Sequence, residues 1–234
     1  MAARTSDKSA PPAYGARARV LNLAAGLAAG LAFAASAAAG EPVTIAALGD
    51  SLTQGYGLPE ADGFAPRLEA WLRANGAPEA VVVNAGVSGD TTAGGLARIA
   101  WTLTPEVDAV IVALGGNDLL RGLDPAESRR NLDGILAEVE GRDLPVLLAG
   151  LPAPANYGAE FQAAFDAIYP ELAAEHGAIL YPNFLGGLGA GSDLNAARAL
   201  MQPDGIHPNA EGVGAVVAAI GPSVLELVAA AQQD

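Results

Sequence analysis

Between residues 40 and 234 the sequence predicts an α/β fold in which a parallel sheet is covered by helices on both faces. Three observations carry that expectation. Short β-rich runs alternate with helical patterns, as in successive βαβ units. Polar, glycine-rich segments follow each of the first three strands, at the carboxyl ends where such sheets bind ligands. The chain, at 234 residues and 51% hydrophobic, is long enough for one domain with a substantial core and too apolar for general disorder. No internal repeat, linker or second domain interrupts the pattern.

The first strand is "VTIAAL", Val43 to Leu48, which enters Gly49-Asp50-Ser51. From Gly63, "GFAPRLEAWLRANG" places Phe64, Leu68, Trp71 and Leu72 at helical spacing and stops at Gly76. "AVVVNAG" is the second strand, and Thr91 to Leu103 a helix. "VDAVIVAL", Val107 to Leu114, is the third strand and enters Gly115-Gly116-Asn117-Asp118. Asp124-Pro125 opens a helix running to about Gly141. "PVLLAG", Pro145 to Gly150, is the fourth strand. Phe161, Phe165, Ile168 and Leu172 line one face of the following helix, which stops near Gly177. "AILYP" is a short fifth strand, a glycine-rich stretch covers Gly186 to Gly191, and a last helix runs from about Asn209 to Ala231.

Residues 1–39 stand apart. Arg4, Lys8, Arg17 and Arg19 precede the apolar run "VLNLAAGLAAGLAFAASAAAG", the basic–apolar–small pattern of a secretory signal peptide. Cleavage is expected after Ala37-Ala38-Ala39, with Ala35-Ser36-Ala37 as the alternative. Val20 to Ala39 would barely span a bilayer and is rich in Ala and Gly, so a cleaved leader is expected over an anchor. The product is expected to be periplasmic or secreted, with no stable membrane anchor.

The leader takes four of the 12 Lys and Arg and one of the 26 Asp and Glu, leaving eight against 25, a formal charge of −17. Such a surface repels nucleic acid and offers anionic membranes no general attraction. The absence of cysteine excludes disulfides, thiolate metal sites and cysteine nucleophiles.

There are only two histidines. His176, in "AAEHG", ends a helix and suits the negative end of its dipole, a structural place. His207, in "MQPDGIHPNAEG", lies in an irregular segment with Asp204 three residues before it. A turn between them brings the carboxylate to one ring nitrogen, fixing the tautomer and stabilising the imidazolium. The other nitrogen can then accept a proton from a nucleophile. Ser51 is the serine that follows a strand directly into a glycine-rich turn, and a hydroxyl becomes a good nucleophile only beside such a base.

On these residues alone other readings stay open. Gly-Asp-Ser could be a plain turn, Asp-x-x-His a helix cap or half of a metal site, and Gly115 to Asp118 a plain loop. Two histidines and no cysteine leave only carboxylates to complete a metal site. Neither G-x-G-x-x-G nor G-x-x-x-x-G-K-[ST] is present to support nucleotide binding. No metal and no cofactor are expected. Acyl transfer also needs donors aimed at the developing oxyanion. A glycine N–H, the Ser51 N–H and the Asn117 side chain are candidates.

Taken together, "GDSLTQGYG", "NAGVSGDTT", "LGGNDLLRGLDP", "LPAPANYG" and "LMQPDGIHPN" resemble the SGNH, or GDSL-type, hydrolases, in particular their bacterial thioesterase I/lysophospholipase and arylesterase branch. The resemblance runs from about Ile45 to the end. It implies a three-layer αβα, flavodoxin-like fold with a five-stranded parallel sheet, and cofactor-free hydrolysis of esters or thioesters. It further implies Ser51 as nucleophile, His207 as general base then acid, and Asp204 as the group orienting His207. The implied oxyanion donors are the Ser51 and Gly89 backbone N–H groups and the Asn117 side chain, with Gly86 the alternative to Gly89. Leu151 and Tyr157 would wall the acyl groove. "LPAPANYG" is two residues longer than the "LPANYG" of that branch, and Asn183 stands where an apolar residue is expected. Both departures are expected to bear on chain length.

The leading expectation is therefore an exported serine esterase acting on a small-molecule ester or lysolipid. A carbohydrate O-acetyl esterase and a non-catalytic lipid- or glycan-binding module are the alternatives.

Overall fold

The computed structural model describes residues 1, 42–189 and 194–233. The expected signal peptide, apart from Met1, and Gly191 of the glycine-rich stretch lie outside the described residues. Gly40–Asp234 is organised around one sheet of five parallel strands: β1 (Thr44–Gly49), β2 (Val81–Gly86), β3 (Ala109–Ala113), β4 (Val146–Ala149) and β5 (Ile179–Tyr181). Their order is β2-β1-β3-β4-β5, the flavodoxin-like winding in which the strand order reverses at β1/β3.

The helices are α1 (Ser51–Gln54), α2 (Phe64–Ala74), α3 (Thr92–Thr102), α4 (Gly116–Leu120), α5 (Pro125–Glu140), α6 (Ala159–Glu175), α7 (Leu194–Ala199) and α8 (Ala210–Ala231). Their starts follow the expected chemistry. Thr91, Asp124 and Asn209 cap α3, α5 and α8 by accepting the N–H of Gly94, Ala126 and Gly212, and Pro125 occupies the first turn of α5, where its missing N–H costs nothing.

Alternation along the strands sorts the core into two layers. Ile45, Ala47, Ile111 and Leu147 face α2 and α8, meeting Leu68, Leu72, Val217, Ile220 and Val224. Ala46, Leu48, Val110, Val112 and Leu148 face α3, α5 and α6, meeting Ile99, Leu132, Ile135, Leu136, Phe165 and Leu172. The three-layer αβα arrangement follows directly. Among the described residues, α8 alone is long and apolar enough to cross a bilayer. Its face from Val213 to Val228 is core, packed on the sheet.

Two expectations change. The sheet is not covered on both faces along β2: Val82 is buried, but Val81 and Val83 point the other way and are exposed, because the α3–α5–α6 layer does not extend over this edge. The segments after β1 and β3, expected as glycine-rich turns, are short helices, α1 and α4.

Candidate active site

Ser51 begins α1, two residues beyond the end of β1, and Asn117 lies in α4 after β3, so the two stand on either side of the β1/β3 switch point. His207 comes from the loop before α8. Its Nε2 is 2.8 Å from Ser51 Oγ, across 156 residues of sequence, and its Nδ1 is 2.7 Å from Asp204 Oδ2. With Nδ1–H donated to the carboxylate, Nε2 is left to accept the hydroxyl proton. This places Asp-x-x-His beside a hydroxyl rather than in a metal site. Among the described residues, no three His, Cys, Asp or Glu side chains converge to hold a metal.

The loop preorganises Asp204. Its Oδ1 accepts the Ile206 N–H at 2.9 Å and the His207 N–H at 3.1 Å. The Ile206 N–H, then the His207 ring and the His207 N–H, hold the Asp204 carboxyl down to a pKa of about 2. The partner of His207 therefore stays charged wherever the imidazole can act as a base.

The candidate oxyanion donors differ in whether their N–H groups are free. Gly86 N–H is taken by Asn84 Oδ1 at 3.0 Å, and a Cβ at Gly86 would fall 2.4 Å from Gln54 N. Gly86 is thus a close-approach residue. Gly89, at φ +84°, donates to no acceptor among the described residues and lines the same cavity as Ser51, which favours it over Gly86. Its carbonyl accepts from Arg121 Nη2 at 2.9 Å. The next residue, Asp90, is paired with Arg98 at 2.7 Å, and Arg98 also donates to the carbonyls of Ala85 and Gly49. One guanidinium thereby ties the Gly89 loop to the ends of β1 and β2.

Asn117 is oriented by a residue to which the sequence reading gave no role. Asp50, 3% exposed, caps α1: its Oδ1 accepts the Leu52 N–H at 3.0 Å and its Oδ2 accepts from Asn117 Nδ2 at 3.2 Å. A carboxylate offers only acceptors, so Asn117 must present its NH2 to Asp50, which leaves the second N–H of that group for the cavity. Burial pushes the Asp50 carboxyl up, opposed by the Leu52 N–H, the nearby His207 and Asn117. An Asp between a strand and a helix start is a cap signal readable in sequence.

These groups open onto a mainly apolar cavity of about 330 Å³. Leu52, Leu119, Leu120, Leu151, Leu185 and Ile206 supply its apolar wall. Leu151 is among the lining residues. Tyr157 is not: it stacks on Phe161 (centroids 5.0 Å), the start of an aromatic ladder through Phe165 and Tyr169 along α6, and does not line the cavity. Asn183 also lies outside it, its Oδ1 capping a turn through the Leu185 N–H at 3.0 Å. His176 is structural, as expected, but is held by the α5 carboxylates of Asp133 and Glu140.

A flavodoxin-like sheet that aligns a hydroxyl, an imidazole and a carboxylate beside an apolar cavity defines an ester hydrolase of the α/β class. The chain belongs to the GDSL-like lipase/acylhydrolase family, which it matches over residues 47–215. It is 40% identical over 166 residues to esterase TesA of Pseudomonas aeruginosa, spanning 70% of this chain and 79% of that one. It is 39% identical over 167 residues to thioesterase 1/protease 1/lysophospholipase L1 of Escherichia coli, spanning 71% and 76%. Among solved structures, the SGNH-hydrolase family esterase AlinE4 matches with a TM-score of 0.65 at 48% identity, covering 80% of this chain and 97% of that one. The protein is an ester-hydrolysing enzyme of the esterase/thioesterase/lysophospholipase type.

Proposed function

We propose that this enzyme is an exported serine esterase that hydrolyses aryl esters, short- to medium-chain acyl esters and lysophospholipids, and accepts thioesters, through an acyl-enzyme on Ser51. The observation that carries the reading is the unbroken series Ser51 Oγ–His207 Nε2 (2.8 Å) and His207 Nδ1–Asp204 Oδ2 (2.7 Å) at the wall of the apolar cavity.

The steps follow from that geometry. Ser51 Oγ attacks the ester carbonyl carbon while Nε2 takes its proton. The carbonyl oxygen becomes negative against the Ser51 N–H, the Gly89 N–H and the Asn117 side chain. The imidazolium, stabilised by Asp204, gives its proton to the leaving alkoxide as the C–O bond breaks. Water then attacks the acyl-enzyme with His207 again as base, and the acid leaves as Ser51 is reprotonated.

An apolar wall suits an acyl chain better than a sugar, which favours the lipid-like esters over the carbohydrate O-acetyl alternative. The leader-like residues 1–39 support export, and the strongly acidic mature chain makes anionic acyl-CoA a poor natural substrate. Hydrolysis of p-nitrophenyl esters by the wild type and Ser51→Ala tests the reading: the variant is expected to lose nearly all activity, and full activity would eliminate Ser51 as the nucleophile.

A further inference from the structure

The segment "QGYG", Gln54 to Gly57, begins three residues after Ser51, and its two side chains reach in different directions. Gln54 Oε1 accepts from Ser88 Oγ at 3.0 Å and its carbonyl from Asn84 Nδ2 at 3.2 Å, on the side of the Gly89 loop. Tyr56 turns to the other side. Its ring lies against the His207 imidazole, centroids 4.7 Å apart and planes tilted by 37°, and its hydroxyl has no partner among the described residues.

The same stretch of chain is tied to the His207 loop by one amide. Gln202 Nε2 donates to Tyr56 O at 2.7 Å and to Pro208 O at 3.0 Å, while the Gln202 N–H donates to His207 O at 2.7 Å. Both side-chain partners are carbonyl oxygens, so the amide has one sensible orientation. Gly57 makes room for it: a Cβ there would fall 2.3 Å from Gln202 Oε1. Ser51 begins α1 and His207 lies in the loop before α8, 156 residues apart, and a hydrogen bond of 2.8 Å between them requires those two segments to be held in fixed register.

We propose that Gln202 and Tyr56 form a brace that holds the His207 ring in line with Ser51, making both of them positioning residues for ester hydrolysis. Gln202 fixes the two backbones against each other, and the Tyr56 ring closes the open side of the imidazole. The brace rests on the reading that Ser51 and His207 are the reacting pair.

The test is steady-state kinetics on p-nitrophenyl butyrate with Gln202→Met, which keeps the side chain's length and removes both donors. Because Gln202 is outside the cavity lining, kcat is expected to fall about tenfold with KM within about twofold of wild type. Tyr56 itself lines the cavity, so Tyr56→Leu is expected to lose several-fold in kcat, and a loss confined to KM would mark a substrate contact instead of a brace. In a His207→Ala background, Gln202→Met is expected to leave the residual rate unchanged, because a brace has nothing left to position.

An undiminished kcat in Gln202→Met beside an inactive His207→Ala overturns the brace alone. So does an equal further loss in the His207→Ala background, which would mark a general structural role. Full activity in His207→Ala overturns the catalytic reading and the brace with it. If Gln202→Met fails to fold, the same kinetics on Gln202→Glu decide, since that variant keeps the shape of the side chain and removes the donor to the Tyr56 and Pro208 carbonyls, and an undiminished kcat there overturns the proposal.

Discussion

Replacing Asp50 by Asn keeps the shape of the side chain and removes one acceptor, which isolates the way Asn117 is held. In the wild type, one oxygen takes the Leu52 N–H at 3.0 Å and the other takes Asn117 Nδ2 at 3.2 Å. Asn offers one oxygen for these two donors. If that oxygen keeps the Leu52 cap, the new NH2 faces the NH2 of Asn117. Asn117 then flips and turns its own oxygen toward the oxyanion, and losing that donor costs about 2.7–4 kcal/mol. If the oxygen serves Asn117 instead, the Leu52 N–H meets a donor, at about 1–3 kcal/mol for an unsatisfied group. The transition state takes the cheaper arrangement, so kcat is expected to fall by about 1–3 kcal/mol, roughly fivefold to 150-fold.

KM for p-nitrophenyl butyrate should barely move, because the lost interaction develops with the oxyanion. The charge removed is also felt by His207, so the single variant mixes two effects. A double-mutant cycle with Asn117→Ala separates them: Asp50→Asn should cost little more once Asn117 is gone. Full kcat in Asp50→Asn, or its whole loss repeated in the Asn117→Ala background, would refute the reasoning.

Three further expectations follow from particular side chains. Burial of the His176 ring opposes its protonation, but hydrogen bonds to Asp133 at 2.8 Å and Glu140 at 2.9 Å outweigh this and raise its pKa above 6.5. The stabilisation is complete below 6.5 and lost as pH rises through the folded value. Both carboxylates are exposed, so it is worth less than about 1 kcal/mol, and the Tm advantage of wild type over His176→Gln should narrow between about pH 6 and pH 9. A constant or widening gap would count against it. The Asp204 pKa, held at about 2, has the opposite sign: its contribution is complete above 3.8 and disappears as pH falls through about 2. Thermal melts of wild type and Asp204→Asn should therefore converge over that window, and parallel curves would contradict the assignment. Leu151→Ala enlarges the cavity wall, so the chain-length optimum for p-nitrophenyl esters should move to longer acyl groups. An unchanged profile would remove Leu151 from the acyl site.

The sequence showed those parts of the fold whose signals lie within a few residues. β1 is an apolar run ending in Gly49 and β3 one that leads through Leu114 into Gly115, and α3, α5 and α8 announce themselves by Thr91, Asp124-Pro125 and Asn209. α1 and α4 escaped because four or five residues cannot display a 3.6-residue period, so "GDSLTQ" and "GGNDLL" looked like turns. Tyr157 was carried to the acyl groove by resemblance, but it stacks on Phe161 instead. Phe161, Phe165 and Tyr169 recur at four-residue spacing along one face of α6, a ladder legible from the period. Tyr157 precedes that helix, across Gly158 at φ +88°, so its place on the ladder shows only in the folded chain.

The candidate site divides along the same line. Asp204 and His207 are three residues apart, so their pairing is a local geometric fact, and Ser51 could be matched to them by elimination. The groups that hold these residues in place cannot be reached that way. Gln202 meets Tyr56 across 146 residues, Asn117 meets Asp50 across 67, and Arg98 meets Gly49 across 49. Each contact exists only because the winding order brings the ends of β1, β2 and β3 and the loop before α8 to one edge of the sheet. Gly89 was preferred to Gly86 on resemblance alone. Gly86 ends β2 and Gly89 lies in the loop beyond it, and what distinguishes them is whether their N–H is already donated, a property of the folded chain. A reading confined to motifs therefore finds the candidate triad and misses the groups packed around it, and it is to this second group that the proposed brace assigns the 2.8 Å alignment between Ser51 and His207.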